Sequence, residues 1–399
     1  MFKLAVVTNI LTPYRIPLFT ALHEQVEEFS VLLKAEQEDN RLWEIEKPHF
    51  HTEVLPGIHI KPRGHEVALH FNYGVIRALR KLNPDVVLSG GFALANLWAF
   101  IYCQLYRKHY VNWTELTRQD GAESSLIRRW IRRLIIRRAD GCIAESSVAR
   151  EAFIYYGARP EKVRTCIFPF DVKRFHQSAN QFRNSEEWIV LRRKFPGPVL
   201  LSIGQLIPQK GLIELFQIYR EVLQVRSDVW LLIVGDGPAR GQYEQYVREQ
   251  GWDRVSFIGY VQSSELPRYL SLSDVFVFHT LKDSFGLVLG EAMAASLPVV
   301  SSIFAVATRD LVDDGVNGFS IDPKNAKSSA EAVLKIINMT PTQRLIMGQA
   351  GLAKVRHFDI QPSAKAIIQF IGSLGNHRHT KPASLSGSNT EKRKVASKD

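Results

Sequence analysis

The stretch VFVFHTLKDSFGLVLGEAMAASLPVVSS, residues 275–302, decides the fold class of this chain. Its first four residues are apolar and predict a strand over 275–278, and a second apolar run predicts a strand over 298–301. Between them, residues 285–295 have the pattern of a helix, and Gly286 lies at the turn into it. Two short apolar strands joined by a helix are typical of a parallel sheet covered by helices.

The same alternation continues in both directions from this stretch. Apolar runs such as LAVV and DVVL indicate strands that are buried on both faces of a sheet. We therefore predict an α/β protein of two doubly wound domains, with a cleft between the loops at the carboxyl ends of their strands. The predicted strands are 2–8, 29–34, 85–89, 110–113, 141–144 and 163–168 in the first half, and 199–203, 229–234, 255–258, 275–278, 298–301 and 318–321 in the second.

Domain boundaries follow from where the alternation stops. Residues 171–194 are polar and irregular, so we predict a first domain over 1–180 and a second over 181–355. An amphipathic segment, 356–374, is expected to form a final helix that could pack on either domain, with packing back on the first domain as one option. Residues 375–399 hold six Lys or Arg and little that could be buried, so we expect a disordered basic tail.

Composition excludes several classes of protein. The 399 residues are 45% hydrophobic and 23% charged, which rules out a wholly disordered, collagenous or coiled-coil chain. Cys103, Cys142 and Cys166 form no CxxC pair, so neither a disulfide framework nor a cysteine zinc site is expected. The most apolar stretch, residues 92–106, is shorter than the roughly 20 residues of a membrane span. Pro13 interrupts the amino-terminal apolar run too early for a secretory signal. These features predict a cytoplasmic protein.

Part of the net charge of +11 is concentrated in SSLIRRWIRRLIIRRAD, residues 124–140. Apolar residues recur there at helical spacing and arginines fall on the other side, which predicts a helix over 124–139. One interpretation is an ordinary domain helix with its arginines in water. The other is a helix drawn to an anionic membrane surface, where each basic group contributes about 1 kcal/mol. Nucleic acid is not expected as a partner, because the arginine face lacks aromatic platforms.

Common catalytic motifs are absent from the sequence. It contains no HExxH, GxSxG or P-loop motif, and no DxD arrangement that would hold a diphosphate through a metal ion. In GDGPARG, residues 235–241, the third glycine comes one place late for a dinucleotide fingerprint. Neither a metal ion nor a cofactor is therefore expected.

The second half instead holds groups suited to a diphosphate and to hydroxyls. GQLIPQKGL, residues 204–212, places Lys210 at the predicted start of a helix, where free backbone N–H groups favour an anion. Gly286 allows a close approach of backbone to phosphate. Asp283 and Glu291 stand eight residues apart across that turn, so both can face one cleft and accept hydrogen bonds from vicinal hydroxyls. Solvated surface acids are the alternative interpretation.

Five segments of the second half, taken together, resemble the retaining glycosyltransferases of family 4. They are GQLIPQKG, LLIVGDGPAR, VSFIGYV, DSFGLVLGEAMAASLPVV and DLVDDGVNGF. The resemblance implies the GT-B fold, in which two Rossmann-like domains face each other across a cleft. It also implies that the second domain binds a nucleotide-diphosphate sugar and that the first domain binds the acceptor.

The resemblance assigns roles to individual residues. Lys210 would neutralise the donor diphosphate, Glu291 would hold the ribose hydroxyls, and Asp283 takes the place of the first Glu of the family's Glu-x7-Glu motif, which contacts the transferred sugar. The backbone at Phe285, Gly286 and Leu287 would meet sugar and phosphate, and Val261 would lie beside the base. The donor-binding set implied by these motifs also includes Gly204, Gln205 and Gly235.

Several positions depart from the family pattern. Gln205 stands where an Arg usually precedes the Lys, Asp283 is one methylene shorter than Glu, and Asp310 follows Val306–Ala307 where the family has Gly-Gly and a later acid. The histidine expected in the first domain is missing from YVNWTELT, and Glu115 is the titratable group there that could substitute for it.

The sequence thus predicts a metal-independent glycosyltransferase with Lys210, Asp283 and Glu115 as its catalytic residues. The expected acceptor is a saccharide or polyprenyl-linked saccharide in surface polysaccharide or glycolipid synthesis. The expected location is the cytoplasm, with peripheral attachment at the inner face of the plasma membrane as an option through residues 124–139. Two alternatives stay open, namely a catalytically weak scaffold that binds nucleotide sugars and a nucleotide-sugar epimerase of the same architecture.

Overall fold

The computed structural model describes residues 1–36, 47–60, 69–118 and 125–374, so the predicted basic tail lies outside the described residues. The strands are β1 (Lys3–Thr8), β2 (Glu28–Leu33), β3 (His51–Val54), β4 (Gly57–Ile60), β5 (Leu69–Asn72), β6 (Val86–Ser89), β7 (His109–Thr114), β8 (Gly141–Ala144), β9 (Val163–Thr165), β10 (Val199–Ile203), β11 (Trp230–Val234), β12 (Val255–Gly259), β13 (Val275–Phe278), β14 (Val299–Ser302) and β15 (Gly318–Ile321). The α-helices are α1 (Ile16–His23), α2 (Val75–Leu82), α3 (Leu94–Tyr106), α4 (Leu126–Arg138), α5 (Ser147–Tyr155), α6 (Val172–Arg183), α7 (Glu186–Arg192), α8 (Leu212–Val225), α9 (Arg240–Glu249), α10 (Leu266–Leu272), α11 (Leu287–Ala294), α12 (Val306–Leu311), α13 (Ala326–Ile337), α14 (Pro341–Val355) and α15 (Ile360–Leu374).

The first domain is built on a seven-stranded sheet with the order β3-β2-β1-β6-β7-β8-β9. All of its neighbouring strands are parallel, as the apolar runs predicted. Strand β6 is buried throughout, because helices cover both faces of the sheet. The direction of winding reverses between β1 and β6, and the carboxyl ends of those two strands therefore open a crevice.

The second domain repeats this plan with a six-stranded parallel sheet of order β12-β11-β10-β13-β14-β15. Each of its strands lies within one residue of the predicted bounds. Winding reverses here between β10 and β13, so a second crevice opens after Ile203 and Phe278. The fold class predicted from residues 275–302 is confirmed.

The segment predicted to be an irregular break, residues 171–194, is instead helical. Asp171 caps α6 by accepting a hydrogen bond from the Arg174 N–H at 3.1 Å, and Ser185 caps α7 through the Trp188 N–H at 3.2 Å. The buried face of α6 belongs to the core of the second domain, where Phe175 is 1% exposed. The predicted boundary between residues 180 and 181 therefore falls inside a helix that packs on the second domain.

The last described helix, α15, crosses back to the first domain. It packs against α1, and Ile367 and Ile371 join the same buried cluster as residues of β1 and β2. The ring of Phe370 lies so close to Gly141 that a Cβ there would come within 2.7 Å of it. This helix ties the end of the second domain to the first.

The domains also touch beside the cleft, where α5 of the first domain meets α12 of the second. The N–H of Ser147 donates to Asp310 Oδ2 at 3.0 Å, and the Arg309 guanidinium pairs with Glu151. Asp310, the late acid of the family pattern, is thus engaged with the other domain.

Helix α4 is the predicted arginine-rich helix, and its apolar stripe is divided. Ile135 and Ile136 are buried, as a domain helix requires. Leu126, Ile127 and Trp130 are 79%, 71% and 64% exposed, so the first turns present apolar side chains to solvent. The interpretation of an ordinary domain helix, with its apolar stripe on the core, therefore does not hold for these three residues. No helix within the described ranges is both long and apolar enough to cross a membrane.

Candidate active site

A cavity of about 640 Å³ lies between the domains at the carboxyl edge of the second sheet. It occupies the crevice between β10 and β13, which is where open α/β sheets bind ligands. We call it the donor cavity. Its walls contain Glu115 of the first domain and these predicted residues of the second: Gly204, Gln205, Lys210, Asp283, Phe285, Gly286, Leu287 and Glu291.

Lys210 is positioned by a histidine that the sequence analysis did not single out. It ends a 3₁₀ turn, and Gly211, with φ of 72°, leads into α8. His279 Nδ1 donates to the Gly211 carbonyl at 2.8 Å, and its Nε2 accepts from the Ser202 hydroxyl at 2.7 Å. Burial lowers the pKa of His279 to about 4, so the ring stays neutral and holds this turn without adding charge.

Asp283 lies opposite Lys210, and its Oδ2 forms an ion pair with the lysine ammonium. Its Oδ1 accepts a hydrogen bond from the Phe285 N–H at 3.1 Å, which shapes the turn before α11. Gly286 has φ of 97°, and a Cβ there would lie 2.5 Å from the Phe278 ring, so the turn requires glycine. The structure thus brings together the lysine and the first of the two predicted acids.

Glu291, on α11, is a partly buried acid that also lines the donor cavity. Burial raises its pKa to about 7, against the opposing effect of Arg174. Among the described residues, no donor is hydrogen-bonded to its carboxylate. A partly buried carboxylate without donors among the described residues is suited to a ligand that brings hydroxyls.

Glu115 follows β7 and is the acid that the first domain contributes to the donor cavity. Burial and the nearby Glu145 raise its pKa to about 7, while Arg15 and a hydrogen bond with Ser284 oppose the shift. Because Ser284 belongs to the second domain, the hydrogen bond between Glu115 and Ser284 crosses the cleft. It is placed to meet a reacting group between the two domains.

A second lysine offsets the charge that is missing at Gln205. Gln205 is exposed in the cavity wall and carries no charge, whereas Lys282, beside Asp283, lines the same cavity. The sequence analysis missed Lys282, although its place next to Asp283 was a usable signal. The donor cavity therefore has two ammonium groups with which to meet a diphosphate.

Gly235 and Val261, two of the predicted donor-binding residues, do not line the donor cavity. Gly235 packs so tightly on the loop after β10 that a Cβ would come within 1.9 Å of the Gly204 carbonyl oxygen. Gly235 therefore lies behind Gly204, which lines the donor cavity, and does not line the cavity itself. Val261 is partly buried against the hydrophobic core of the second domain.

The segment TPYRIPLF, residues 12–19, contributes a cation at the edge of the cleft. Arg15 pairs with Glu145 at 2.7 Å and lies between the rings of Trp113 and Phe168, at 4.5 and 4.2 Å from their centroids. This pairing neutralises one cation and one acid of the first domain. No cluster of three His, Cys, Asp or Glu side chains suited to a metal ion occurs in the part of the chain that the structure describes.

Residues 189–353 match the family model for glycosyl transferases group 1. Alpha-D-kanosaminyltransferase of Streptomyces kanamyceticus is 24% identical over 217 residues, which cover 53% of this chain and 55% of the relative. Phosphatidyl-myo-inositol mannosyltransferase of Propionibacterium freudenreichii is 27% identical over 242 residues, 60% of this chain and 58% of the relative. The chain thus matches less than two thirds of the length of these relatives.

Solved structures show the likeness over most of the chain. Anabaena Alr3699/HepE in complex with UDP superposes with a TM-score of 0.74 at 19% identity, over 93% of this chain and 100% of that one. Sucrose-phosphate synthase from Thermosynechococcus elongatus superposes with a TM-score of 0.71 at 18% identity, over 94% and 100%. The predicted arrangement of two Rossmann-like domains is confirmed, and the chain has the GT-B fold, with residues 189–353 matching the glycosyl transferases group 1 model.

Proposed function

We propose that this protein transfers a sugar from a nucleotide-diphosphate donor to a saccharide or lipid-linked saccharide, with retention of the anomeric configuration. One observation carries the proposal, namely the convergence of Lys210, Asp283 and Glu291 on a single cavity that Glu115 reaches from the other domain. The family of residues 189–353 supports the same activity. Anabaena HepE also binds UDP-glucose, which makes uridine diphosphate sugars the first donors to test.

Each charged group of the donor cavity has a role in donor binding. Lys210 and Lys282 neutralise the diphosphate, because charge that develops on the leaving group is what a preorganised cationic site stabilises. Asp283 accepts a hydrogen bond from the transferred sugar. Glu291 accepts from the ribose hydroxyls, which supply the donors that its carboxylate lacks in the empty protein.

In the proposed reaction, the bond between the anomeric carbon and the diphosphate oxygen breaks. The acceptor oxygen bonds to the same face of that carbon, and the departing phosphate oxygen takes the proton of the acceptor hydroxyl. Before the reaction, Glu115 orients that hydroxyl by accepting its hydrogen bond, and the proton turns to the phosphate oxygen as the new bond to carbon forms. The scheme assigns no step to a metal ion or cofactor, since the lysines meet the charge of the phosphates.

A thermal-shift screen of nucleotide sugars against the full chain tests donor binding. A ligand that binds only the folded state at 100 times its Kd adds about 2.7 kcal/mol of stability. The matching donor is therefore expected to raise the melting temperature by several degrees. A panel in which no nucleotide sugar raises it at millimolar concentration contradicts the proposal.

Glu291→Gln is expected to stabilise the ligand-free protein at pH 8 and to reduce the shift caused by the donor. Because the pKa of Glu291 is raised from 4.5 to about 7, the folded state loses stability as pH rises through that window. The amide does not ionise, so the variant should be more stable than the wild type by roughly 1 kcal/mol at pH 8, after solvent screening, and equally stable near pH 4.5. Melting curves at both pH values measure this difference in stability, with exposed Glu331→Gln as the control. Equal behaviour of the two variants would argue against ribose binding at Glu291.

Gln205 favours a second candidate, a protein that binds nucleotide sugars and transfers them poorly or not at all. It replaces a cation expected at the diphosphate, and its side chain is exposed in the cavity wall. Donor binding without transfer to any acceptor would support this scaffold function. A changed sugar formed from donor alone would indicate an epimerase.

The outer face of α4 supports an acceptor at a membrane. Leu126, Ile127 and Trp130 are exposed beside the exposed Arg128 and Arg133, a combination that binds anionic lipid surfaces. The mannosyltransferase relative from Propionibacterium is named for a phosphatidylinositol substrate, which also supports a lipid-linked acceptor. We propose that α4 holds the protein at the cytoplasmic face of the plasma membrane, where it acts in polysaccharide or glycolipid synthesis.

Vesicle flotation tests the proposed membrane attachment. The full chain is expected to float with vesicles containing anionic lipid at low salt and to float much less with neutral vesicles. Joint Leu126→Ser and Trp130→Ser substitution should lower binding at least about 10-fold, since each buried side chain contributes about 1.5–3 kcal/mol. Joint Leu345→Ser and Ile346→Ser substitution on α14, where both residues are also exposed, is the matched control. Wild-type protein that stays unbound at low salt would refute the attachment.

A further inference from the structure

A second cavity, of about 480 Å³, opens on the first domain beside the donor cavity. It lies in the crevice between β1 and β6, and Asn9 and Gly90, which follow those strands, line it. Tyr14, Glu115 and Ser284 line both cavities. We call this second cavity the acceptor cavity. A molecule bound in it meets the donor at Glu115, which is where the proposed function requires the acceptor.

Arg132 of α4 lines the acceptor cavity, and no acid within residues 1–36, 47–60, 69–118 and 125–374 forms an ion pair with it. Its guanidinium lies 5.1 Å from the Phe92 ring centroid and 5.4 Å from that of Tyr156. Its hydrogen bond to the Tyr156 hydroxyl is long at 3.4 Å, and its buried Nε has no partner among the described residues. Arg15 in the same wall differs, because Glu145 neutralises it. The charge of Arg132 is thus available to a ligand.

Two further polar groups in the wall lack partners. Thr12 and Trp113 are only 7% and 5% exposed, and neither the Thr12 hydroxyl nor the Trp113 Nε1–H has a hydrogen-bond partner within the described ranges. Buried donors without partners cost about 1–3 kcal/mol each. A ligand that accepts hydrogen bonds in this cavity would recover that cost.

A buried lysine adds positive charge behind the wall. The Lys34 ammonium donates to Asn9 Oδ1 at 2.9 Å and to Asn96 Oδ1 at 2.7 Å, so amides hold it, and no acid in the described part of the chain pairs with it. Burial lowers its pKa to about 8, which leaves most of it charged at pH 7. The acceptor cavity therefore has an acidic end at Glu115 and a cationic end at Arg132.

We infer that the acceptor carries an anionic group, a phosphate or a carboxylate, which binds at Arg132 while the reacting hydroxyl lies at Glu115. The planar guanidinium can donate two parallel hydrogen bonds to either group. This inference rests on the proposed function for the place of the acceptor, and it narrows the acceptor to an acidic saccharide or a phosphate-linked one. The position of Arg132 on α4 connects this anion site with the face that we propose to bind lipid.

Calorimetric titration of the full chain tests the anion site. The probes are farnesyl diphosphate, for a lipid-linked phosphate, and glucuronate, for an acidic sugar, with glucose as the uncharged reference. We expect one anionic probe to bind and Arg132→Gln to weaken it by about 10- to 100-fold, as the loss of a charged hydrogen bond does. Farnesyl diphosphate binding identifies a phosphate source, and glucuronate binding identifies a carboxylate.

Matched variants decide whether the binding is specific. Arg133→Gln removes the same charge from the exposed side of α4 and is expected to leave Kd unchanged, as is Lys210→Ala in the donor cavity. Equal losses in Arg132→Gln and Arg133→Gln would indicate unspecific attraction and overturn the inference. So would loss in Lys210→Ala alone, no binding of either anion, or glucose binding as tightly as the anions.

Two measurements keep the outcome independent of folding and of the proposed function. Arg132→Lys retains the positive charge but loses the planar guanidinium that donates two parallel hydrogen bonds, so this variant should bind the anion with intermediate affinity. Equal melting temperatures of the variants exclude misfolding. If the thermal-shift screen finds no donor while the anion still depends on Arg132, the anion site stands and the proposed transferase function fails.

Discussion

Replacing Lys210 by alanine is expected to lower donor turnover by about 100- to 1000-fold, since one preorganised group facing developing charge contributes about 2.7–4 kcal/mol. The fold should survive, because the side chain is 26% exposed at the end of a short turn and leaves no core cavity. Release of nucleoside diphosphate from the donor found in the thermal-shift screen measures the rate.

Alanine substitutions of two other lysines provide comparisons for the turnover of Lys210→Ala. Lys282→Ala should cause a smaller loss, because its exposed ammonium is better solvated, and Lys327→Ala on the surface of α13 should cause none. A Lys210→Ala protein that turns over like Lys327→Ala would remove Lys210 from the chemistry.

Transfer is expected to depend on the ionisation of Glu115. Its pKa is raised to about 7, and we assign the hydrogen-bond-accepting role to the carboxylate. kcat should therefore rise as pH increases through about 7 and level off above pH 8. Glu115→Gln should lower kcat about 10- to 100-fold at pH 8, as the loss of a hydrogen bond to a charged group does, and should abolish the rise.

Measuring kcat at saturating donor distinguishes the titration of Glu115 from that of Glu291, whose pKa is also raised to about 7. The pH profile of kcat reports groups in the bound complex, in which Glu291 is engaged with ribose. Exposed Glu161→Gln is the matched control and should keep the wild-type profile. A rise with pH that persists in Glu115→Gln would assign the titration to another group.

Most of the fold could be predicted because its signals are local. Strands buried on both faces read as short apolar runs, and these located both sheets. The helices between 171 and 194 were missed, although Asp171 and Ser185 are good capping residues and Val172, Phe175 and Ala179 have helical spacing. Because that segment is mostly polar, the helical spacing of its few apolar residues was not recognised.

The apolar stripe of α4 shows what periodicity cannot decide. Leu126, Ile127 and Ile135 all recur at helical spacing, but of these three only Ile135 is covered by the rest of the domain. Which turns of a helix are covered depends on neighbours that are distant in sequence.

The candidate site was predictable where its residues form one sequence motif. Asp283, Gly286 and Glu291 share a single turn and helix, and Lys210 has its own glycine-flanked turn. The ion pair of Lys210 with Asp283 and the support of Lys210 by His279 join residues about 70 positions apart, which no local pattern encodes. Arg132 became a candidate only when the structure placed it in the acceptor cavity.

A crystal structure of the full chain with its donor, identified by the thermal-shift screen, tests the central claim most directly. The account predicts the diphosphate within hydrogen-bond distance of Lys210 Nζ, the ribose hydroxyls on the Glu291 carboxylate, and the anomeric carbon on the side that faces Glu115. A donor bound with its diphosphate away from Lys210, or outside the cavity between the two domains, would contradict it.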